Sequence, residues 1–349
     1  MKSLLKYLSP FAPDMAGAVS VLFELEGLIA ICDAGGCTGN ICGFDEPRWF
    51  TRKSALFSAG LRDMDAIMGR DRQLADKLIA AANNGKFNFM AMIGSPVPAV
   101  IGTDFAALKR MCSQRLDMDI LAVECSGTLY YESGASAAYC ELFRQAAKEK
   151  LPVKADTIGV LGATVLDCSS INCGKLIADK LEGDVQIYGM SSDFQAIRRA
   201  SEVAKNIVIA PSGLKCAKYL ERKFGTPWEI ADLSLPETTV QAALAAGGRK
   251  CLIVHQAFAA AGLKKQLLAS DDKMDIFCGS FFNKCSNISD FKFESESDFY
   301  DCIEQGNFDL VIADSALQRP VQKIYRGKWV DFMHFAVSGR LQEELYQAV

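Results

Sequence analysis

Histidine is scarce in this chain: only His255 and His334 occur among 349 residues. That argues against a histidine-rich zinc site and leaves a Ser-His-Asp triad little material. No Cys-x-x-Cys pair occurs, which disfavours a zinc ribbon. No Gly-x-x-x-x-Gly-Lys-Ser/Thr stretch occurs; Gly174-Lys175 lacks both the upstream glycine and the following hydroxyl residue. A Gly-x-Gly-x-x-Gly turn is lacking too, so no ATP or NAD site is expected on the chain itself. With no long Lys/Arg run and a net charge of −4, nucleic acid is not an expected partner. No apolar run reaches bilayer-spanning length, so no membrane partner is expected. The opening stretch, residues 1–8, is too short and too broken for a signal peptide, so a cytoplasmic location is expected.

Cysteine, in contrast, is abundant. Thirteen occur, an odd number, and without an export signal a disulfide scaffold is not expected. Cys112, Cys140, Cys216, Cys251 and Cys302 lie within apolar helix or strand patterns and read as buried thiols acting as small hydrophobes. Cys168 and Cys173, five apart, read as a structural pair with the second inside a helix. Half the residues are hydrophobic and 23% are charged, the balance of a well-buried globular chain. The length calls for two or three domains.

Strand and helix patterns alternate nearly throughout. Strands are predicted over 28–32, 87–93 and 120–123, then 157–161, 185–188 and 207–210, then 251–254, 274–277 and 310–313. Helices are predicted over 15–25, 54–68, 71–84, 103–111 and 135–148, and later over 214–224, 237–246, 258–268 and 297–304. The dipeptide Leu151-Pro152 marks one boundary and the neighbourhood of Pro236 another. The predicted domains are thus 1–150, 151–235 and 236–349. Short connections between alternating elements imply parallel sheets covered on both faces. Ligands of such sheets bind beyond the carboxyl ends of the strands. In the first series that rule selects three stretches: Cys32–Cys42, Gly94–Pro98 and Cys125–Thr128. The prolines of the second are expected to forbid both a ladder and a helix.

The first stretch is the richest. Gly35, Gly36, Gly39 and Gly43 let a backbone approach a ligand closely, and Cys32, Cys37 and Cys42 follow one another at a spacing of five. Thiolates are soft ligands suited to an iron–sulfur cluster, and exposed N–H groups of a glycine loop offset their charge. That spacing does not share one face of a regular helix, so any of the three remains a candidate ligand. Next comes Asp45-Glu46-Pro47-Arg48-Trp49. It reads either as a solvated loop with one local ion pair or as the substrate side of a site. In the second reading Arg48 and Glu46 contact substrate, Arg48 gripping a carboxylate, and Trp49 sheds water.

Four stretches resemble the nitrogenase component 1 superfamily. They are Met15-Ala16-Gly17-Ala18; Asp33-Ala34-Gly35-Gly36-Cys37; Leu61-Arg62-Asp63-Met64-Asp65-Ala66-Ile67-Met68-Gly69; and Gly94-Ser95-Pro96-Val97-Pro98-Ala99-Val100-Ile101-Gly102-Thr103-Asp104. Weaker similarity continues to 308–314. The resemblance implies three Rossmann-like α/β/α domains with mostly parallel sheets. It also implies a dimer and an iron–sulfur cluster at the subunit interface, fed by an ATP-dependent iron protein. Cys37 falls on a cluster-ligand position of the family. Near Pro13-Asp14 the family cysteine is absent, and at Ser95 a serine replaces it. Cys125 falls on a position close to the cluster pocket. The Asp45–Trp49 stretch is not a general family feature. A two-fold axis doubles what one chain supplies, so Cys37 and one further residue complete a [4Fe–4S] cluster. Cys125 is the first choice, then Cys32 or Cys42, with the Ser95 oxygen last. The expected protein is a homodimeric iron–sulfur reductase component. The alternatives are a non-catalytic cluster scaffold and a metal-free small-molecule binder.

Overall fold

The computed structural model describes residues 5–342 except 53, 232, 234 and 284–287. The first four residues and the end of the tail, 343–349, lie outside the described residues. Three sheets follow one another along the chain, and every strand pairing within them is parallel. The first contains β1 (Leu28–Ile31), β2 (Ala55–Ser58), β3 (Phe89–Ile93) and β4 (Asp119–Val123), in the order β2-β1-β3-β4. The second contains β5 (Lys154–Leu161), β6 (Asp184–Ile187), β7 (Val203–Val208) and β8 (Trp228–Ile230), ordered β6-β5-β7-β8. The third contains β9 (Lys250–Val254), β10 (Asp275–Ser280), β11 (Phe291–Lys292), β12 (Leu310–Ala313) and β13 (Lys328–Asp331), ordered β11-β10-β9-β12-β13. Strands β1, β3 and β12 are buried at every position, as continuous apolar runs covered by helices on both faces require.

Two glycines set the spacing of the first layer. Helix Asp14–Leu22 crosses helix Tyr131–Ala146 so closely that a Cβ on Gly17 would lie 1.9 Å from the Tyr131 carbonyl oxygen. A Cβ on Gly134 would lie 1.8 Å from that of Asp14. The Gly-Ala pair of the sequence is therefore a backbone contact between helices.

The structure corrects several expected elements. Residues 54–68 are not one helix. The edge of β1 takes up Ala55–Ser58 as a strand, Gly60 breaks the chain at φ 62°, and only Asp63–Met68 is helical. Gly94–Pro98 is not a helix-free turn. Pro96 opens the helix Pro96–Ile101 at its first position, where the missing N–H costs nothing. The helix expected over 103–111 spans Phe105–Ser113 and is capped by Asp104, which accepts from the Ala107 N–H at 2.8 Å. The glycine–cysteine stretch is largely helical too, as described next.

Candidate functional site

The three selected stretches do meet. Each leaves the carboxyl end of a neighbouring strand of the first sheet, so their starts are about one strand spacing apart. The Ser95 hydroxyl, buried, donates to the Cys32 carbonyl at 2.7 Å. Gly94 lies against Cys125: a Cβ there would come within 2.5 Å of the Cys125 carbonyl oxygen. Gly127, at φ 71°, lies against Pro96. Two buried aspartates lock the arrangement. The Asp33 carboxylate accepts from the Thr38 N–H at 2.8 Å and from the Ser58 hydroxyl at 2.6 Å. The Asp14 carboxylate accepts from the N–H groups of Ser126 and Gly127 at 2.9 and 2.8 Å. Asp33 stood inside a quoted motif and Asp14 beside one. Their task was not readable, because the groups they hold are remote in sequence or in another element.

Beyond Asp33 the chain turns at Gly35 with φ 120°, the one glycine of the stretch whose backbone needs the missing Cβ. It forms a short helix, Gly36–Asn40, which widens into a π-turn, Ile41–Asp45, closed by the Glu46 N–H on the Ile41 carbonyl at 2.8 Å. Such widened turns recur at functional sites. Gly36 and Gly39 sit in open space with no neighbour that a Cβ would meet.

The four candidate thiols separate by burial. Cys37 and Cys42 are half-buried, whereas Cys32 and Cys125 are buried. Burial raises all four thiol pKa values, and nearby carboxylates add to it. For Cys32, burial and then the Asp33 charge raise it to about 12. For Cys37 the second cause is again Asp33, and for Cys42 it is Glu46 followed by Asp33. Cys125 is raised by burial and then by Asp14. Among the described residues no cation counters this effect at the four thiols, so a ligand bringing its own positive charge is what would favour the thiolates. Among the described residues, no group of three or more His, Cys, Asp or Glu side chains is placed to hold a metal. One chain thus fits an iron–sulfur group only as part of a shared site. Cys37 and Cys42 are its accessible donors, and the Ser95 oxygen is committed to Cys32.

Arg48 and Glu46 do not face outward. Both are buried, and the Arg48 guanidinium is held by internal partners. Its Nε and Nη2 grip the Glu46 carboxylate at 2.7 and 2.6 Å, Nη1 reaches Glu24 at 2.9 Å, and Nη2 also donates to the Ser20 carbonyl at 2.8 Å. Arg52 completes the cluster with Glu24 at 3.0 Å. With no exposed surface and four of its five N–H donors spent on Glu46, Glu24 and Ser20, the guanidinium is closed to a substrate carboxylate. Trp49 is partly exposed, and its neighbours Phe44 and Phe50 are each 73% exposed. The stretch is therefore neither of the two expected arrangements. Its charges are an internal brace for the π-turn, and its aromatics are the outward face.

A second polar cluster, not singled out in the sequence, lies where the three sheets meet. The Tyr131 hydroxyl donates to Asp167 at 2.6 Å and lies 3.1 Å from His334 Nε2. Both histidines of the chain are here, buried and stacked at 4.1 Å between ring centroids. Glu132, beside Tyr131, accepts from the Asn283 N–H at 2.8 Å. Burial pushes Glu132 up to about 8, helped by Asp167, and pushes Asp167 up to about 7. It pulls His255 down to about 4 and His334 well below the usual histidine range. The scarcity of histidine was the only sequence signal pointing here.

Three consecutive parallel sheets with the polar convergence at strand ends define an α/β/α protein of the Rossmann-like kind. A sequence profile described as Nitrogenase component 1 type Oxidoreductase matches residues 13–234, and the chain belongs to that family. A solved structure entitled "Nitrogenase Cp1 at pH 6.5" superposes with a TM-score of 0.74 at 10% identity, covering 95% of this chain and 87% of that chain. Another, "Nitrogenase Cp1 at pH 5", gives 0.66 at 14% identity over 98% and 86%. At such identities the likeness concerns the fold alone. No curated protein matches by sequence. Among the described residues, no helix is long and apolar enough to cross a membrane.

Proposed function

We propose that the chain is the iron–sulfur reductase component of a nitrogenase-like system, working as a pair of identical subunits in the cytoplasm. It accepts low-potential electrons from an ATP-dependent iron protein and passes them to a substrate. One observation carries the reading. The convergent strand ends of the first sheet present Cys37 and Cys42, half-buried, beside the exposed rings of Phe44 and Phe50. A [4Fe–4S] cluster takes about four protein ligands. Two chains facing each other across this surface supply Cys37 and Cys42 twice. Access ranks Cys42 above Cys125 and Cys32 as the companion of Cys37, because the latter two reach a ligand only if their loops open. The bound cluster supplies one-electron transfer at low potential.

The chain's own residues do the rest. Asp33 anchors the start of the Cys37 helix, and the Arg48–Glu46–Glu24 brace fixes the end of the Cys42 turn. Phe44, Trp49 and Phe50 exclude water once covered by a partner surface. Anaerobic iron and sulfide analysis, with the mass of the assembly, tests the reading. Wild type is expected as a dimer with iron, and Cys37→Ala and Cys42→Ala are each expected to lose most of it. Intact iron in Cys37→Ala overturns the assignment. A non-catalytic cluster scaffold is the second reading, favoured by the serine at Ser95 and by the lack of a three-donor group in one described chain. Mixing with the iron protein and ATP separates the two, since a scaffold's cluster stays unreduced.

A further inference from the structure

Cys168 and Cys173 are joined as a disulfide, while ten other described cysteines remain thiols. Given the cytoplasmic location proposed above, such a bond is of the transient, redox-active kind, since cytosolic compartments keep thiols reduced. The loop it closes, five residues in sequence separation, is short. Short loops gain least from the restriction of the unfolded chain, so overall stability is not what this bond serves best. Both bridge cysteines are buried, 6% and 3% exposed, so a reductant reaches them by way of a cavity. Both cysteines line a cavity of about 240 Å³ with Leu176, Ile177, Leu235 and Lys180. That volume admits a small dithiol.

The four residues between the cysteines join all three sheets' territories. The Ser169 hydroxyl donates to the Met333 carbonyl at 3.1 Å and accepts from the Phe335 N–H at 2.9 Å, both beyond the end of β13. Arg52 donates to the Ile171 carbonyl at 3.3 Å and to the Asn172 side chain at 3.4 Å. The same guanidinium is paired with Glu24, and Glu24 with Arg48. The disulfide loop thus rests on the outer end of the brace that holds the Cys42 turn.

We infer that Cys168–Cys173 is a reversible thiol–disulfide site, whose substrate class is a dithiol reductant and whose state sets the hold of this loop on Arg52. In the exchange, one thiolate of the reductant attacks one sulfur of the bridge. The S–S bond breaks and a mixed disulfide forms. The second thiol of the reductant displaces the remaining cysteine and closes the reductant's own disulfide. Two electrons and two protons reach the pair, leaving Cys168 and Cys173 as thiols, and the reductant is oxidised by the same amount.

Titration of the folded full-length wild-type protein with dithiothreitol under nitrogen tests this, read by alkylation and peptide mass spectrometry. Cys168 and Cys173 are expected unlabelled in protein prepared without reductant. Both gain label together at reductant concentrations that leave the far-ultraviolet circular dichroism unchanged, and both lose it on re-oxidation with oxidised dithiothreitol. In protein stripped of iron by a chelator, Cys37 and Cys42 are expected to label at least two-fold faster once the bridge is open. The Cys168→Ser, Cys173→Ser double variant, in which the bridge is absent, is expected at the faster rate throughout. Label on both cysteines that oxidation never removes would show there is no bridge. A bridge that opens only as the protein unfolds would show a structural one. Either result overturns the site. Opening with no change at Cys37 and Cys42 overturns its link to Arg52.

Discussion

Arg48→Ala discriminates most sharply between a guanidinium that braces the fold and one that grips a substrate. In the wild type the guanidinium is fully buried and makes two contacts to Glu46 at 2.6 and 2.7 Å and one to Glu24 at 2.9 Å. Truncation leaves the buried Glu46 carboxylate with the Arg48 N–H, at 3.1 Å, as its remaining donor from that residue. Glu24 keeps Arg52. Removing one member of a buried pair and stranding the other charge costs about 3–5 kcal/mol. With a urea slope of about 2–3 kcal/mol per molar, the unfolding midpoint falls by about 1.5 M. In a Trp228→Phe, Trp329→Phe background the fluorescence of Trp49, one residue away, is the local probe, so later transitions elsewhere in the chain do not confuse the reading. The double change Arg48→Leu, Glu46→Leu removes both charges and keeps apolar bulk. It is expected to recover more than half of the loss, because no buried carboxylate is left stranded there. A midpoint for Arg48→Ala within about 0.3 M of wild type, a shift of under about 1 kcal/mol, would refute the brace. Loss of reductase activity in such a stable variant would return Arg48 to the substrate side.

Gly17→Ala forces the helices Asp14–Leu22 and Tyr131–Ala146 apart, since its Cβ would meet the Tyr131 carbonyl at 1.9 Å. A cost of at least about 1–3 kcal/mol is expected in urea unfolding, and an unchanged midpoint would mean the helices do not cross there. Ser95→Ala loses the bond to the Cys32 carbonyl, for about 1–2 kcal/mol, and leaves iron content intact. Iron lost from that variant would instead make the hydroxyl a ligand. For the junction cluster, the raised carboxyls of Glu132 and Asp167 bind more protons folded than unfolded, so their stabilisation is present at low pH and is lost as pH rises through about 8 and 7. The lowered histidines act the other way, but only up to the ordinary histidine range, so the junction's contribution is expected flat from about pH 4.5 to 6.5, where Asp45, pushed up to about 6 by burial, adds a fall of its own, and then to fall by about 1–2 kcal/mol by pH 8. Urea midpoints that hold steady across pH 6.5–8, or an undiminished fall in Glu132→Gln, would count against neutral carboxyls there.

What was legible in the sequence follows from how each strand is covered. The inner strands β1, β3, β9 and β12 are apolar runs bounded by polar turns, as a sheet covered on both faces requires, while β5 is apolar only in its second half. Of the outer strands, β4 and β6 were legible, whereas β2, β8, β11 and β13 were not. β11 has two residues and β8 three, too few to carry a period. β2 was hidden because Leu56, Leu61 and Met64 also fit a helical spacing. What decides its state is the vacant edge of β1, a partner outside the local window. Pro96 misled for a related reason. Proline excludes the interior of a helix but favours its first turn, and only the ending of β3 three residues earlier says which applies.

The cysteines and the charged stretch show the same limit at the site. Strands covered on both faces pass their burial to whatever follows them, whichever way the side chain points. Cys32, directly after β1, and Cys125, two residues after β4, are buried for that reason. Cys37 and Cys42 escape because Gly35, at φ 120°, turns the chain into a helical segment standing off the sheet end. Spacing in sequence treats Cys32, Cys37 and Cys42 alike, since it contains no information about which of them has left the sheet. Arg48 is the complementary case. Its nearest acidic neighbour, Glu46, was visible, but a local pair alone is equally at home in solvent. The partners that commit it to the interior, Glu24 and Ser20, lie 24 and 28 residues away on the chain before β1. A guanidinium with one carboxylate still has donors to offer a ligand. With two carboxylates and a carbonyl around it, it has become part of the wall that holds the Cys42 turn in place.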